Sequence, residues 1–313
     1  VGEAKTLGKA RYHIYAPSLG AKQARVHTVE RDLRDILASR TDVADTTAAA
    51  HALGLQLVFQ PVIAHKTQDV CKFEVLLRWQ HPTLGKIPPS EFVSIAEKSG
   101  LIIALGQWVL YRACEYLAQW RDAGVWHGQF TLAVNVSAAQ FLQQDLAAQI
   151  AAMLQDMDLP SAALELEITE TMAMSNLEHS IKQLNILHEL GINLALDDFG
   201  TGYASLASLH ALPIDTLKID KSFIRAIGPA NRHQQQAISM VRTMITLARS
   251  LELTVTAEGV ETPAQRQFLE GLECDYLQGY LLGRPYSARH VSRIVNSSIS
   301  PTMTINETIN EPA

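Results

Sequence analysis

Thr131-Leu132-Ala133-Val134-Asn135 and Asn193-Leu194-Ala195-Leu196-Asp197 follow one pattern. Small or polar residues occupy every second position, Leu or Val lies between them, and the last side chain is a hydrogen-bonding one. Successive side chains of a strand point to opposite faces, so each stretch has one apolar face and one face that ends in a polar group. Around Glu258 the pattern recurs, with Thr254 and Thr256 on one face and Leu253 and Val255 on the other. Strands of this kind suit a barrel: small side chains fit its interior, and chemistry gathers at the strand ends.

Outward from these stretches, short apolar runs alternate with helical patterns from about Ala52 onward, the signature of βα units. Eight strand candidates begin near Leu55, Lys72, Thr131, Leu164, Ile192, Thr216, Leu253 and Cys274. One intervening helix places Leu105, Val109, Ala113, Leu117 and Trp120 on one face, and another does so with Ala237, Val241, Ile245 and Ala248. The gap from Ile63 to Val70 is too short for a helix, so the first two strands are expected to form an antiparallel hairpin. The expected fold is α/β, a modified (β/α)8 TIM-like barrel with an antiparallel first strand pair. An open doubly wound sheet is the other arrangement of such units.

The strand ends supply Gln60, Glu74 followed by Arg78, Asn135, Glu167, Asp197, Lys218, Glu258 and Gln278. A barrel built only for stability would favour branched aliphatic residues there, so these ends read as a functional site. Glu74, Glu167, Asp197, Asp198 and Glu258 would meet at one mouth with Lys218 and Arg78 as the cations. Neighbouring carboxylates do not all stay ionised without positive charge among them. The donors are oxygens, and the 11 histidines form no HxH or HExxH spacing, which suits Mg²⁺ or Mn²⁺ over Zn²⁺. Adjacent Asp197 and Asp198 could serve two ions, the arrangement that activates water for in-line attack on phosphorus.

Composition narrows the class. The 313 residues are 47% hydrophobic with 17 Gly and 12 Pro, enough for a large core and unlike a disordered or collagenous chain. The net charge of −6, from 26 Lys+Arg against 32 Asp+Glu, argues against duplex nucleic acid as a partner. No apolar run reaches the roughly 18 residues of a membrane span. The opening Val1-Gly2-Glu3-Ala4-Lys5 resembles no signal peptide and, lacking Met, is expected to be the cut end of a longer chain. Cys71, Cys114 and Cys274 are widely spaced, which points to a reduced, cytoplasmic compartment. Residues 21–40 carry Val26, Val29, Leu33 and Ile36 at helical spacing. That seam suits a connector with a dimer contact, or equally a helix packed on its own domain.

Asp198-Phe199-Gly200 echoes the kinase metal triplet without an HRD motif or a glycine-rich phosphate loop. Gly200-Thr201-Gly202 lacks the third glycine of a dinucleotide fingerprint. A glycosidase could use carboxylates after strands four and seven, but aromatics are only 6% and Asp197-Asp198 would have no role.

Seven motifs in order, Glu74-Val75-Leu76-Leu77-Arg78-Trp79, Asn135-Val136-Ser137, Glu167-Ile168-Thr169-Glu170, Asp197-Asp198-Phe199-Gly200-Thr201-Gly202, Lys218-Ile219-Asp220, Glu258-Gly259-Val260-Glu261 and Gln278-Gly279-Tyr280, resemble the EAL-domain cyclic di-GMP phosphodiesterases. The match runs from about Leu55 to Val295. Gly8-Lys9-Ala10-Arg11-Tyr12 resembles the end of a GGDEF diguanylate-cyclase domain. The implied organisation is a GGDEF-like remnant over 1–20, a helical linker over 21–50, the EAL barrel over 51–297 and a flexible tail over 298–313.

The resemblance implies Mg²⁺- or Mn²⁺-dependent hydrolysis of cyclic di-GMP to linear 5′-pGpG. Glu74, Asn135, Glu167 and Asp197 would ligate one metal, and Asp197, Asp198 and Glu258 the second. Glu258 would also accept a proton, Lys218 would orient the attacking water, and Glu170 would anchor the loop after Asp198. Gln60, Arg78, Gln278, Gly279, Tyr280, Arg284 and Pro285 would cradle the dinucleotide. Ca²⁺ is expected to inhibit, being larger and preferring more ligands. A homodimer, upstream GGDEF and sensor domains in cis, and tethering of the full-length protein to the inner membrane belong to the same expectation. One departure is Val75, where the family triplet has alanine. The alternative reading is a receptor that holds cyclic di-GMP without cleaving it and signals through the N-terminal helix.

Overall fold

The computed structural model describes residues 17–38, 50, 52–202, 205–227 and 232–296. The basic stretch Lys9–Tyr15, most of the expected GGDEF remnant, and the tail from Ser298 lie outside them. The strands are β1 (Leu55–Ala64), β2 (Val70–His81), β3 (Gly85–Ile87), β4 (Thr131–Asn135), β5 (Leu164–Thr169), β6 (Asn193–Phe199), β7 (Thr216–Ile219), β8 (Thr254–Ala257), β9 (Tyr276–Gln278) and β10 (Tyr286–Ser287).

The chain divides into two compact units. One comprises residues up to Gln56 together with Arg78–Leu105, and the other Leu57–Leu77 together with Gly106 onward. In the first, helix Pro17–Ala38 lies on helix Pro89–Ser99. Val29, Leu33 and Ile36, the seam found by periodicity, are fully buried there. The chain's own helix therefore covers this seam. Arg25 pairs with Glu91 at 2.6 Å. His81 Nδ1 accepts from the backbone amides of Thr83 and Leu84, so its Nε2 carries the proton and donates to Asp32 Oδ2 at 2.7 Å. Trp79 packs edge-on to Phe92, and its indole N–H donates to the Leu53 carbonyl at 2.8 Å.

In the second unit eight strands close a barrel in the order β1-β9-β8-β7-β6-β5-β4-β2, with β1 pairing β2 to complete the ring. Strands β2 and β4 to β9 are parallel, whereas β1 is antiparallel to β9 and hence to β2. The expected antiparallel start is present, its turn held by Ala64 N–H donating to the Asp69 carbonyl at 2.9 Å. Two short additions were not foreseen: β10 pairs with β1, and β3 pairs with β2 inside the first unit. Outside the barrel, Phe59, Tyr116, Trp120 and Phe130 meet edge-to-face or stacked at 5.0–5.9 Å and fix helix Ile102–Asp122 on the β1 side. The apolar faces read from sequence are buried as expected: Leu105, Ala113 and Leu117 on that helix, and Val241, Ile245 and Ala248 on helix Arg232–Ser250.

Candidate active site

Register decides which side chains meet. Glu74 pairs with Ala133, Asn135 with Glu167, and Lys218 with Thr256, so the parallel strands end at comparable heights. Alternation then turns their last polar residues into the barrel. Around the ring the alternate strands β2, β5, β7 and β9 carry Glu74, Glu167, Lys218 and Gln278. Between them β1, β4 and β6 carry Gln60, Asn135 and Asp197, and Glu258 follows β8.

Lys218 Nζ is the centre of this cluster. It lies 2.7 Å from Glu167 Oε1, 2.7 Å from Glu258 Oε1 and 3.4 Å from Asp197 Oδ1. Glu74 is held by hydrogen bonds from both flanks, from Asn135 Nδ2 at 3.0 Å and from Gln278 Nε2 at 2.6 Å. Burial alone would push the Lys218 ammonium down. Asp197, Glu167, Glu258 and Glu74 together outweigh that and hold its pKa well above the usual lysine value. Burial pushes Glu167 well above the carboxylate range against the pull of Lys218, with Glu74, Asp197 and Glu258 adding repulsion. Burial likewise raises Glu258 to about 7.

Asp197 and Asp198 are neighbours in β6, and regular alternation would send them to opposite faces. A register shift between Leu196 and Phe199 breaks that alternation, with Asp198 in the left-handed region at φ 55°. Its N–H donates to Asp197 Oδ1 at 2.8 Å. Burial, then Asp197, then Asp220 raise the Asp198 carboxyl, opposed by Lys218 and Lys221. Asp220, quoted in the Lys218-Ile219-Asp220 motif without a role, is a further carboxylate here. It is buried, and it caps helix Lys221–Arg225 by accepting from Ser222 N–H at 3.0 Å. Its place two residues beyond Lys218 was the available signal.

Glu170 opens helix Glu170–Ser175 and is buried. Its Oε2 accepts from the amides of Gly200 at 2.9 Å and Gly202 at 3.2 Å, fastening the loop that follows Asp198. A Cβ at Gly202 would sit 2.7 Å from Glu170 Oε1, so only glycine leaves room for this contact.

On the ligand side, Gln60 Nε2 donates to the Gly283 carbonyl at 3.2 Å. Gly279 passes so close to the Val260 backbone that a Cβ would fall 2.1 Å from the Val260 carbonyl oxygen, joining the loops after β8 and β9. Exposed Tyr280 stacks under the Arg284 guanidinium at 4.9 Å, and Pro285 immediately precedes β10. Arg78 lies on β2 four residues beyond Glu74, in the part of that strand that belongs to the first unit.

Among the described residues no three Asp, Glu, His or Cys side chains already form a metal cage, since the carboxylates converge on Lys218 instead. The donor set nevertheless suits a hard divalent cation. It is built of oxygens, and Glu167 Oε2 and Gln278 Oε1 are buried without a hydrogen-bond partner. Burial first, then repulsion among Glu74, Asp197 and their neighbours, raises Glu167 and Glu258 against the pull of Lys218, the kind of perturbed cluster that marks a functional site.

A family described as the EAL domain matches residues 44–285. The bifunctional diguanylate cyclase/cyclic di-GMP phosphodiesterase MucR of Pseudomonas aeruginosa is 38% identical over 288 residues, 92% of this chain and 39% of its own length. The cyclic di-GMP phosphodiesterase NbdA of the same organism is 38% identical over 283 residues, 90% of this chain and 34% of its own. The solved PaMucR phosphodiesterase in complex with c-di-GMP superposes with a TM-score of 0.73 at 40% identity, over 79% of this chain and 98% of that one. The chain thus spans between a third and two fifths of these curated relatives' length, and nearly all of the solved phosphodiesterase chain.

Proposed function

The chain belongs to the EAL-domain family, and from that premise we propose that its barrel hydrolyses cyclic di-GMP to linear 5′-pGpG with divalent cations bound at the mouth. The observation that carries this reading is the convergence of Glu167, Asp197 and Glu258 on Lys218, beside a Glu74 fixed by Asn135 and Gln278.

Glu74, Asn135, Glu167 and Asp197 would hold one Mg²⁺ or Mn²⁺, and Asp197, Asp198 and Glu258 a second. Such ions, when bound, lower the pKa of water and offset negative charge on a phosphoryl group. Lys218 supplies a buried ammonium that orients the water and offsets charge developing on the phosphorus oxygens. Glu258, one carboxylate oxygen on Lys218, would accept the proton that the water gives up. Glu170 keeps the loop after Asp198 in place through the Gly200 and Gly202 amides. Gln60, Arg78, Gln278, Gly279, Tyr280, Arg284 and Pro285 would receive the dinucleotide.

The same proposal includes a homodimer, and a longer protein in which GGDEF and sensor domains precede this one. The bifunctional name and greater length of the MucR relative support the latter. We place the domain in the cytoplasm, where its nucleotide substrate would be found. Among the described residues no helix is long and apolar enough to cross a membrane.

Incubation with cyclic di-GMP and Mg²⁺ or Mn²⁺, followed by chromatography, tests the reading. The expected product is linear pGpG. Tight binding with no product over a long incubation would leave only a nucleotide receptor.

A further inference from the structure

One step below the catalytic layer, the same alternate strands carry a second polar layer: Lys72 on β2, Glu165 on β5, Thr216 on β7 and Tyr276 on β9. Two residues along a strand separate these from Glu74, Glu167, Lys218 and Gln278, a rise of about 7 Å. Lys72 and Glu165 form a buried ion pair across the barrel, reaching over the intervening β4. Lys72 Nζ also donates to Thr216 Oγ1 at 3.2 Å and lies 4.7 Å from the centre of the Tyr276 ring. Thr216 Oγ1 is 3.2 Å from Glu165 Oε2 and 3.0 Å from Thr254 Oγ1 on β8. Five strands therefore meet in one closed network. On the strands between, Ala133, Ala195 and Thr256 occupy the positions two residues before Asn135, Asp197 and Glu258, and all three are small and buried.

Stability gives little reason for such a pair. Apolar residues of the same volume commonly serve a barrel interior as well or better, because desolvating two charges consumes most of their attraction. What an ion pair adds is fixed geometry between particular strands. We propose that Lys72 and Glu165 are positioning residues, whose ion pair beneath the mouth sets the spacing of β2, β5 and β7 and thereby holds Glu74, Glu167 and Lys218 in register with one another. The inference rests on the phosphodiesterase reading, and it assigns these two residues no contact with substrate.

The test is the double variant Lys72→Met/Glu165→Leu of this chain, which removes both charges and keeps the volume. Wild type and variant are compared by thermal unfolding, by kcat and KM for cyclic di-GMP, and by calorimetric cyclic di-GMP affinity. The expected result is a cooperative fold, kcat lower by about 10- to 100-fold, and KM and Kd within about threefold, since ångström-scale misplacement acts on the reacting geometry. A folded variant with kcat within twofold of wild type overturns the inference, as does one changed only in KM. Should the double variant fail to fold, Glu165→Gln keeps the side-chain shape and is read by the same thresholds. A wild type without turnover refutes the phosphodiesterase reading by itself. The positioning role, defined by the reacting geometry, falls with that reading, whereas a wild type that turns over beside a folded variant of unchanged kcat overturns the positioning role alone.

Discussion

Lys218 Nζ sits 2.7 Å from Glu258 Oε1 at the top of the barrel and at the same distance from Glu167 Oε1. The ammonium thus pairs with two carboxyl groups that burial has driven upward, Glu258 to about 7. Lys218→Met removes that charge and keeps the aliphatic stem. Hydrolysis of cyclic di-GMP is expected to fall at least about 100-fold, the size of effect found when a preorganised transition-state donor is deleted. Ligand binding should fall much less. Turnover within tenfold of wild type would show that the ammonium serves the resting fold and not the reaction.

Glu170 fastens the loop after Asp198, and its proposed effect on the reaction runs through that loop. Glu170→Ala deletes the acceptor of the Gly200 and Gly202 amides. Gly202→Ala introduces a methyl group 2.7 Å from the same carboxylate. Both variants should lose about 10- to 100-fold in kcat through displacement of Asp198. Their thermal midpoints should stay within a few degrees of wild type. If only Glu170→Ala is impaired, the carboxylate acts by another route than the loop.

Cation dependence separates the proposed mechanism from every metal-free one. EDTA should abolish hydrolysis, and Mg²⁺ or Mn²⁺ should restore it. Ca²⁺ should not, because it takes six to eight oxygens at longer distances and tolerates irregular geometry. Asp197→Ala, which removes the ligand assigned to both ions, should be inactive in every metal while remaining folded. Equal rates in Ca²⁺ and Mg²⁺ would contradict the donor assignment.

The parallel strands were legible because alternation in Thr131–Asn135 and Asn193–Asp197 is strict, and parallel neighbours keep that phase around the ring. The break at Asp198 was not legible: a bulge is one extra residue, and although Asp tolerates a left-handed φ better than most residues, that preference does not single out one position. The Lys72–Glu165 pair was invisible for another reason. Its members stand 93 residues apart on strands that do not adjoin, so only closure of the barrel brings them together. Strands of two and three residues, β10 and β3, are shorter than any period can register. The seam of Val29, Leu33 and Ile36 showed a helix face but not its cover, which helix Pro89–Ser99 supplies, its Glu91 standing 66 residues from the Arg25 it pairs with.

Asp32 gives the first unit an acid-sensitive contact. Burial alone would raise this carboxyl, but hydrogen bonds from Arg31 and His81 outweigh it and hold the pKa below the ordinary aspartate value. A depressed carboxylate stabilises the fold above its unfolded pKa, near 4, and that contribution is lost as pH falls through the lower folded value. Asp32→Asn should therefore lower stability at pH 7 by about 1–3 kcal/mol. The deficit should shrink below pH 4. Denaturant unfolding of both proteins at pH 7 and pH 3 measures it, and a deficit independent of pH would remove the ionic part of the argument.

Val75 is where the chain departs from the alanine of its family triplet, and its effect can be weighed from the strand pairing. The β2–β4 register runs unbroken from Lys72 with Thr131 to Val75 with Val134, and Val75 is 4% exposed. The two extra methyl groups are therefore absorbed in packing on the face away from Glu74, which keeps both its hydrogen bonds. Val75→Ala empties that space and should cost about 1–3 kcal/mol, the range for deleting two buried methyl groups with partial collapse. Turnover should change by less than about threefold, because Glu74 is fixed by Asn135 and Gln278 and not by its neighbour. A rise of tenfold or more in kcat for Val75→Ala would show the opposite: that the valine displaces Glu74 in solution and holds the native domain back.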